Sequence, residues 1–384
     1  MMIADLPQDL ESIILSRVPA KAQRQVRFTC KRWNALFKDP KFLKNIDKAR
    51  TQVILKIDLK FYSGIINLHG IHNSFDHSSL EFTGELQSLK ASKHVEIFDM
   101  FHCDGLLLCT ANYDRLVVWN PCTGQSKRID PINRIRGYFT KKYILGYENN
   151  KSSTGSYKIV CFILDSDIWR QHCFTRVEIY ESNSGSWRVL DDVIHPYRFL
   201  NVSRGMFNAS RGVSLKGNTY WFDIYNEYHR DSSIVMFDFT TEKLGRLSLP
   251  FTRHNYETVV LSVVREEKLA VLRYDNGSLE MKIWLTTNTK IDEAKDLSWS
   301  EFLVVDLGKV MVQSMNRSVS FLVVDEENKM VVCCDHFYMF SEEHTRIYIV
   351  GEHMHKLVYE KETTKRTPDY LPLLLSYVPS LAHI

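Results

Sequence analysis

Four stretches of this chain can be laid over one another: LVVWNPCTGQSKRI (116–129), VEIYESNSGSWRVL (177–190), IVMFDFTTEKLGRL (234–247) and RIYIVGEHMHKLVY (346–359). Each is a hydrophobic run ending in an aromatic residue, then a polar turn, then a short second run. With Trp284 of a further hairpin included, the markers Trp119, Tyr180, Phe237, Trp284 and Tyr348 are spaced by 61, 57, 47 and 64 residues. A unit repeated at such a period stacks on its neighbours to bury its hydrophobic face, and four strands per unit make a propeller blade, with the longer steps placing insertions in loops. The spacing predicts about five to seven blades. Hairpins at 105–121, 157–187, 212–243, 267–287 and 319–334 carry β-branched and aromatic runs bounded by Gly, Asn, Asp and Ser, as short antiparallel strands do. A two-sheet sandwich is the alternative, but about 330 residues of near-continuous short strands is too much for one.

The first 48 residues have a different texture. Leu6, Leu10 and Ile14 recur four apart until Val18-Pro19, and Val26, Cys30, Trp33 and Phe37 follow at i, i+4, i+7 and i+11, the spacing of one helical face. The fold class expected is therefore mainly β with a small all-α N-terminal module. About forty residues of helix do not readily bury this many large side chains alone. The covering surface is either the β domain of the same chain or another polypeptide. Charge is uneven too: the chain carries +3 overall, but residues 1–50 hold eleven Lys/Arg against five Asp/Glu. A basic helical hairpin on nucleic acid is a third reading, disfavoured because the basic residues are interleaved with apolar ones all round the helices.

The front segment resembles an F-box, the helical motif that docks its owner onto the Skp-type adaptor of a cullin-based ubiquitin ligase. The resemblance rests on Leu6-Pro7, Asp9-Leu10, the IILSRVP block (13–19) and the CKRW block (30–33). It implies that Leu6, Pro7, Leu10, Ile14, Leu15, Val18 and Pro19 lie against the adaptor. Val26, Cys30 and Trp33 would partly complete the module and partly reach the partner. Behind it, FHCDGLLLCTANYDRLVVWNPCTGQSKRID (101–130), YILGYENN (143–150), YKIVCF (157–162), GVSLKGNTYWFD (212–223) and VVREEKLAVLRYDNGSLEMKIWLTTN (263–288) resemble the type 1 F-box-associated interaction domain of the plant F-box family, a kelch-like or propeller-like substrate receptor. The domains expected are an F-box over 1–48, a propeller-like substrate-binding domain over 49–364, and a tail over 365–384 whose LPLLLSYVPSL is a closing helix or strand or an apolar segment on the propeller edge. The resemblance implies a substrate-recognition subunit of a Skp–cullin–F-box ligase, with the adaptor, and through it cullin and a RING subunit, as partners beside an unknown target protein. Two alternatives stand: a kelch-type oxidase with a metal on its axis, and an F-box binding protein acting outside a ligase.

No G-x-S-x-G, G-x-x-x-x-G-K-[ST] or G-x-G-x-x-G motif occurs, so no catalytic residue, cofactor or metal is assigned. His353 and His355 alternate and are expected to share a strand face, with His344 upstream, but no acid or cysteine completes a zinc set. Cys333 and Cys334 adjoin on a strand, which predicts one core and one outward thiol. Two loops are candidates for holding a target. KRIDPINRIRGYFTKK (127–142) has six basic residues against one aspartate and contributes Arg134, Arg136 and Tyr138; FDIYNEYHRD (222–231) contributes Tyr225, Tyr228, His229 and Arg230. Eight cysteines without a C-x-x-C pair read as thiols of a reducing compartment. The N-terminus has no basic leader followed by an apolar core, and no run of apolar residues is long enough for a membrane span. The expectation is a cytoplasmic or nuclear protein, without nucleic-acid or membrane partners.

Overall fold

The computed structural model describes residues 11, 15, 26, 29–37, 39, 51–57, 60–66, 68, 80–85, 97–111, 115–130, 139–148, 156–165, 174–190, 212–224, 232–254, 257–287, 297–309, 320–339, 342–363, 372–378, 380 and 384. Among them are six four-stranded antiparallel sheets. The first is β1 (Thr51–Ile57), β2 (Lys60–Ile66) and β3 (Leu80–Glu85) with β24 (Leu373–Ser376) paired to β1. The second is β4 (Ile97–Cys103), β5 (Leu106–Ala111), β6 (Arg115–Trp119) and β7 (Ser126–Ile129). The third is β8 (Phe139–Gly146), β9 (Lys158–Asp165), β10 (Phe174–Glu181) and β11 (Ser186–Val189). The fourth is β12 (Val213–Leu215), β13 (Asn218–Ile224), β14 (Ser232–Asp238) and β15 (Lys243–Leu247). The fifth is β16 (Glu257–Val264), β17 (Lys268–Asp275), β18 (Glu280–Thr286) and β19 (Trp299–Asp306). The sixth is β20 (Ser320–Asp325), β21 (Met330–Met339), β22 (Glu342–Gly351) and β23 (Met354–Thr363).

Residues of β24, β4, β8, β12, β16 and β20, the first strand of each sheet, line one cavity of about 100 Å³. The sheets therefore stand round a common axis as six propeller blades. Trp119, Tyr180, Phe237, Trp284 and Tyr348 sit on β6, β10, β14, β18 and β22, the third strand of five successive blades, so the repeat read from the sequence is the blade itself.

Packing blade against blade covers both faces of a sheet, and the burial pattern follows. Cys333 and Cys334 are both fully buried. Cys333 packs with Leu272 and Ile283 of the fifth blade, and Cys334 with Val53 and Leu55 of the first. The expectation of one core and one outward thiol thus fails, because a blade between two neighbours has no outward face. Burial raises the Cys333 thiol to about 12, which keeps it protonated and inert. In β17, likewise, Leu269 and Val271 pack toward the fourth blade while Ala270 and Leu272 pack toward the sixth. Each leucine or valine among them contributes roughly 1.5–3 kcal/mol.

The ring closes through the C-terminal segment. β24 pairs with β1 from Val53↔Ser376 to Lys56↔Leu373, and the Tyr377 N–H donates to Gln52 O at 2.9 Å. On the other side, Leu374 N–H donates to Ser320 Oγ of β20 at 3.0 Å. Past the strand, the Asn120 amide donates to Ser380 O at 3.0 Å while its Oδ1 accepts the Cys122 and Thr123 N–H groups. Leu373–Ser376 of LPLLLSYVPSL is thus a closing strand, and the segment beyond residue 364 supplies the inner strand of the first blade.

Gly105, in the β4–β5 turn, is the tight point of this closure. Its φ is +79°, and a Cβ there would lie 2.3 Å from Ser380 Cβ and 2.8 Å from Ser380 N. Its N–H donates to His102 Nε2 at 3.0 Å, and the His102 ring lies 5.7 Å from that of Tyr377. An imidazole accepting at Nε2 is neutral, and burial lowers its pKa from 6.5 to about 4.

Two outcomes are expected. Gly105→Ala combines left-handed backbone with a clash and should lower unfolding free energy by about 2–4 kcal/mol in a denaturant titration; unchanged stability would show that Ser380 is not held against the turn. His102, neutral in the fold, lets the unfolded chain take up the proton first. Its contribution to stability is therefore complete above pH 6.5 and declines as pH falls toward about 4. Melting curves across that window should show the decline in the native chain and a flatter profile in His102→Gln.

Candidate functional site

The N-terminal module has a core of its own. Leu15 and Phe37 are buried against each other, with Val26, Trp33 and Leu36 packed round them, and among the described residues this cluster shares none with those of the propeller. The helix α1 (Lys31–Leu36) starts after a turn in which Thr29 N–H donates to Val26 O at 3.1 Å. Cys30 caps the helix, its Sγ accepting the Trp33 N–H at 3.4 Å. The single helical face expected from Val26 to Phe37 is broken there, and Cys30 is exposed while Phe37 is buried. Leu15, expected against the adaptor, is 1% exposed and belongs to the module's interior. Leu6, Pro7, Leu10, Ile14, Val18 and Pro19 lie outside the described residues.

Sequence reasoning missed Glu11. It is fully buried, accepts a hydrogen bond from Trp33 Nε1, and lies 2.6 Å from Arg32 Nη2 through its other oxygen. A buried carboxylate is tolerable only with such charged and N–H partners. The adjacency of Arg32 and Trp33 was the available signal, but the partner twenty-odd residues upstream leaves no local pattern.

In the propeller, the chain order of the antiparallel strands sorts connections between the two ends of the axis. Turns joining first to second and third to fourth strands share one end, where Gly217 O accepts the Tyr147 N–H at 3.1 Å and Ser214 Oγ meets Cys103 Sγ at 3.0 Å. β1 begins at this end, so the chain arrives here from the helical module. Links from second to third strands and from blade to blade belong to the opposite end. Residues 131–138, between β7 and β8, and 225–231, between β13 and β14, are such links. Arg134, Arg136, Tyr138, Tyr225, Tyr228, His229 and Arg230 themselves lie outside the described residues.

At the same end, the seam of the fourth and fifth blades holds a charged and aromatic group that no sequence motif announces. Arg253, between β15 and β16, has its guanidinium carbon 5.7 Å from the Phe222 ring centre, and its Nη2 donates to Glu257 O at 3.4 Å. Arg273 on β17 stands 5.3 Å from the Phe251 ring centre and pairs with the Glu257 carboxylate. The other Glu257 oxygen accepts the His254 N–H at 2.9 Å, and Phe251 leans on Trp284 at 4.9 Å. Glu257 is buried, whereas His254 is exposed and Arg253 and Arg273 are half-buried. These residues come from four strands and one link, so no spacing rule connects them.

The axial cavity carries Asp99 and Lys142, paired at 2.6 Å, and the Ser214, Ser262 and Ser320 side chains. At its other end burial raises the Asp104 carboxyl, which Tyr147 hydrogen-bonds. Among the described residues no three His, Cys, Asp or Glu side chains gather as metal ligands. His353 is in the β22–β23 turn and His355 on β23, stacked 4.9 Å from Tyr348, so the two do not share a strand face.

Phe37→Ala should cost the module about 3–5 kcal/mol, seen as faster amide exchange over 29–37, with the propeller's melting temperature unmoved. A coupled fall in the propeller transition would show that the two cores are one.

Comparison with known proteins places both parts. Residues 3–45 match the F-box domain, and residues 52–384 match the F-box associated beta propeller domain. A putative F-box/kelch-repeat protein of Arabidopsis thaliana is 49% identical, the match spanning all of this chain and 97% of the relative. A second putative F-box/kelch-repeat protein of that plant is 48% identical over all of this chain and 94% of its own length, and an F-box/kelch-repeat protein is 46% identical over all of this chain and 96% of its own. The chain belongs to the plant F-box family whose members carry an F-box associated beta propeller domain behind the F-box.

Proposed function

We propose that this chain is the target-recognition subunit of a Skp–cullin–F-box ubiquitin ligase. The observation that carries the reading is the joining, in one chain, of an F-box with its own small core to a closed propeller whose blade-to-blade links lie at the end away from the point where the F-box chain enters. On this reading Leu6, Pro7, Leu10, Ile14, Val18 and Pro19 form the apolar surface that meets the Skp-type adaptor. Leu15, Phe37 and the Glu11–Trp33 contact hold that surface in shape from within. The basic excess of residues 1–50 speeds encounter with an acidic adaptor, and buried apolar anchors supply affinity. Cullin and the RING subunit join through the adaptor.

The propeller holds the target through the end that carries its blade-to-blade links, with 131–138 and 225–231 among the contacting segments. The chain performs no chemistry on this reading. It raises the effective concentration of a target lysine near a ubiquitin-conjugating enzyme. Such a complex works in the cytoplasm or nucleus.

Leu10→Asp is expected to weaken adaptor capture by about 2 kcal/mol or more, with the propeller's melting temperature unchanged. Recovery of adaptor equal to that of the native chain would refute the docking surface. Affinity purification with the proteasome blocked, comparing the full chain with Leu10→Asp, should lose adaptor, cullin and RING subunit together and keep target.

A further inference from the structure

We propose that the N-terminal module of this chain rests on the end of the propeller where β1 begins, held there by opposite charge. The two ends of the axis differ in sign once strand order assigns each connection to its end. At the entry end run 67–79, 104–105, 120–125, 147–157, 182–185, 216–217, 239–242, 265–267, 287–298, 326–329 and 352–353. Together these hold twelve Asp/Glu against six Lys/Arg. At the opposite end run 58–59, 86–96, 112–114, 130–138, 166–173, 190–212, 225–231, 248–256, 276–279, 307–319, 340–341 and 364–372. Those hold ten Asp/Glu against fourteen Lys/Arg. Residues 1–50, with eleven Lys/Arg against five Asp/Glu, are thus opposite in sign to the end they adjoin.

Ion pairs within the propeller do not cancel the acidic excess. Glu148 and Glu242 share Lys158, Arg188 joins Glu242 to Glu181, and Glu326 meets Lys268 and Arg265. Adding the strand residues of this network, Lys158, Arg188, Lys268 and Glu181, leaves thirteen acids against nine bases at the entry end. Glu267 and Glu327, in the first turns of the fifth and sixth blades, are exposed, as are Lys31 and Arg32 of the module.

The connection between the two parts makes the module the natural occupant. Eleven residues, 40–50, join Asp39 to Thr51, and a chain of that length spans at most about 40 Å. A tether this short keeps the local concentration in the millimolar range, so an attraction far weaker than that of a stable interface is enough to seat the module. Fields between such surfaces reach several kT and act within roughly 10 Å at physiological salt. No shared apolar core is required, in keeping with the separate clusters seen among the described residues. The basic residues are spaced round the module, so a seat on the propeller uses some and leaves others for an acidic adaptor. On the ligase reading, the seat would hold the adaptor at one end of the axis and the target at the other.

Carbodiimide cross-linking, which joins a lysine amine directly to a carboxylate in contact with it, tests the seat on the full chain, with products read by mass spectrometry. Lysines of residues 1–50 should cross-link to acids of the entry end, Glu266, Glu267, Glu326, Glu327 and Glu352 among them, and rarely to Asp130 and Glu280 at the opposite end. Raising salt to roughly 0.5 M should suppress these products. Glu267→Lys with Glu327→Lys should lower the yield to the remaining entry-end acids about threefold. Asp130→Lys with Glu280→Lys, the same change of charge at the opposite end, should leave that yield unchanged. Equal cross-linking to the two ends would overturn the seat, as would a yield indifferent to the entry-end reversal. An equal mixture of isotope-labelled and unlabelled chain separates products within one chain from those between chains; a majority between chains would assign the acidic end to a second copy and also overturn the proposal. If the reversal variant melts early, Glu267→Gln with Glu327→Gln decides: a reduced yield supports the seat and an unchanged one refutes it. Adaptor capture measured on the native chain keeps this test apart from the ligase reading, because capture without entry-end cross-links defeats the seat alone.

Discussion

Every blade of this molecule needs a neighbour on each face. Cys333 and Cys334, adjacent in sequence and both sealed, show how fully the requirement is met at the sixth blade. A row of such sheets has two raw faces unless it returns on itself. Pairing of β24 with β1 supplies the return by building the first blade from both ends of the propeller chain. The rest of the architecture leans on that pairing: the packing of Gly105 under Ser380, the neutrality of His102, the anchoring of Asn120 and the convergence of six strands on one axis.

Closure also has a functional consequence. A ring locked by its last strand fixes the direction of all six inner strands and so divides its connections into two sets. Connections from first to second and from third to fourth strands gather at the end where the chain arrives from the helical module, and those from second to third strands and from blade to blade gather at the other. Among the described residues, the module's core, built on Leu15, Phe37 and the buried Glu11, shares no residue with the blades. Among the described residues one polypeptide therefore carries two separately packed cores, which is what the proposed link between an adaptor and a target needs.

Much of this was legible in the sequence. The five aromatic markers identified five blades because each sits on the third strand of its own blade. The first blade gave no such marker, since its inner strand is over three hundred residues from the rest of it and a linear period does not register a sheet assembled from two ends. The two-thiol expectation failed for a related reason: alternation tells inside from outside only where a sheet has an outside. In the helical module, apolar spacing ran straight across Thr29 and Cys30, where hydrogen bonding to Val26 O and the Cys30 cap start a new helix. The Arg253 seam was invisible because Phe222, Phe251, Arg253, Glu257 and Arg273 come together only when two sheets pack.

Amide hydrogen exchange resolved to the strands tests ring closure most directly. With the ring sealed, the β1 amides that face β24 should exchange only with global unfolding, as slowly as those of β9 and β17 deep in other blades. Rapid exchange along β1 and β24, while β9 and β17 stay protected, would mean that the ends are not joined and that the sixth and first blades stand open.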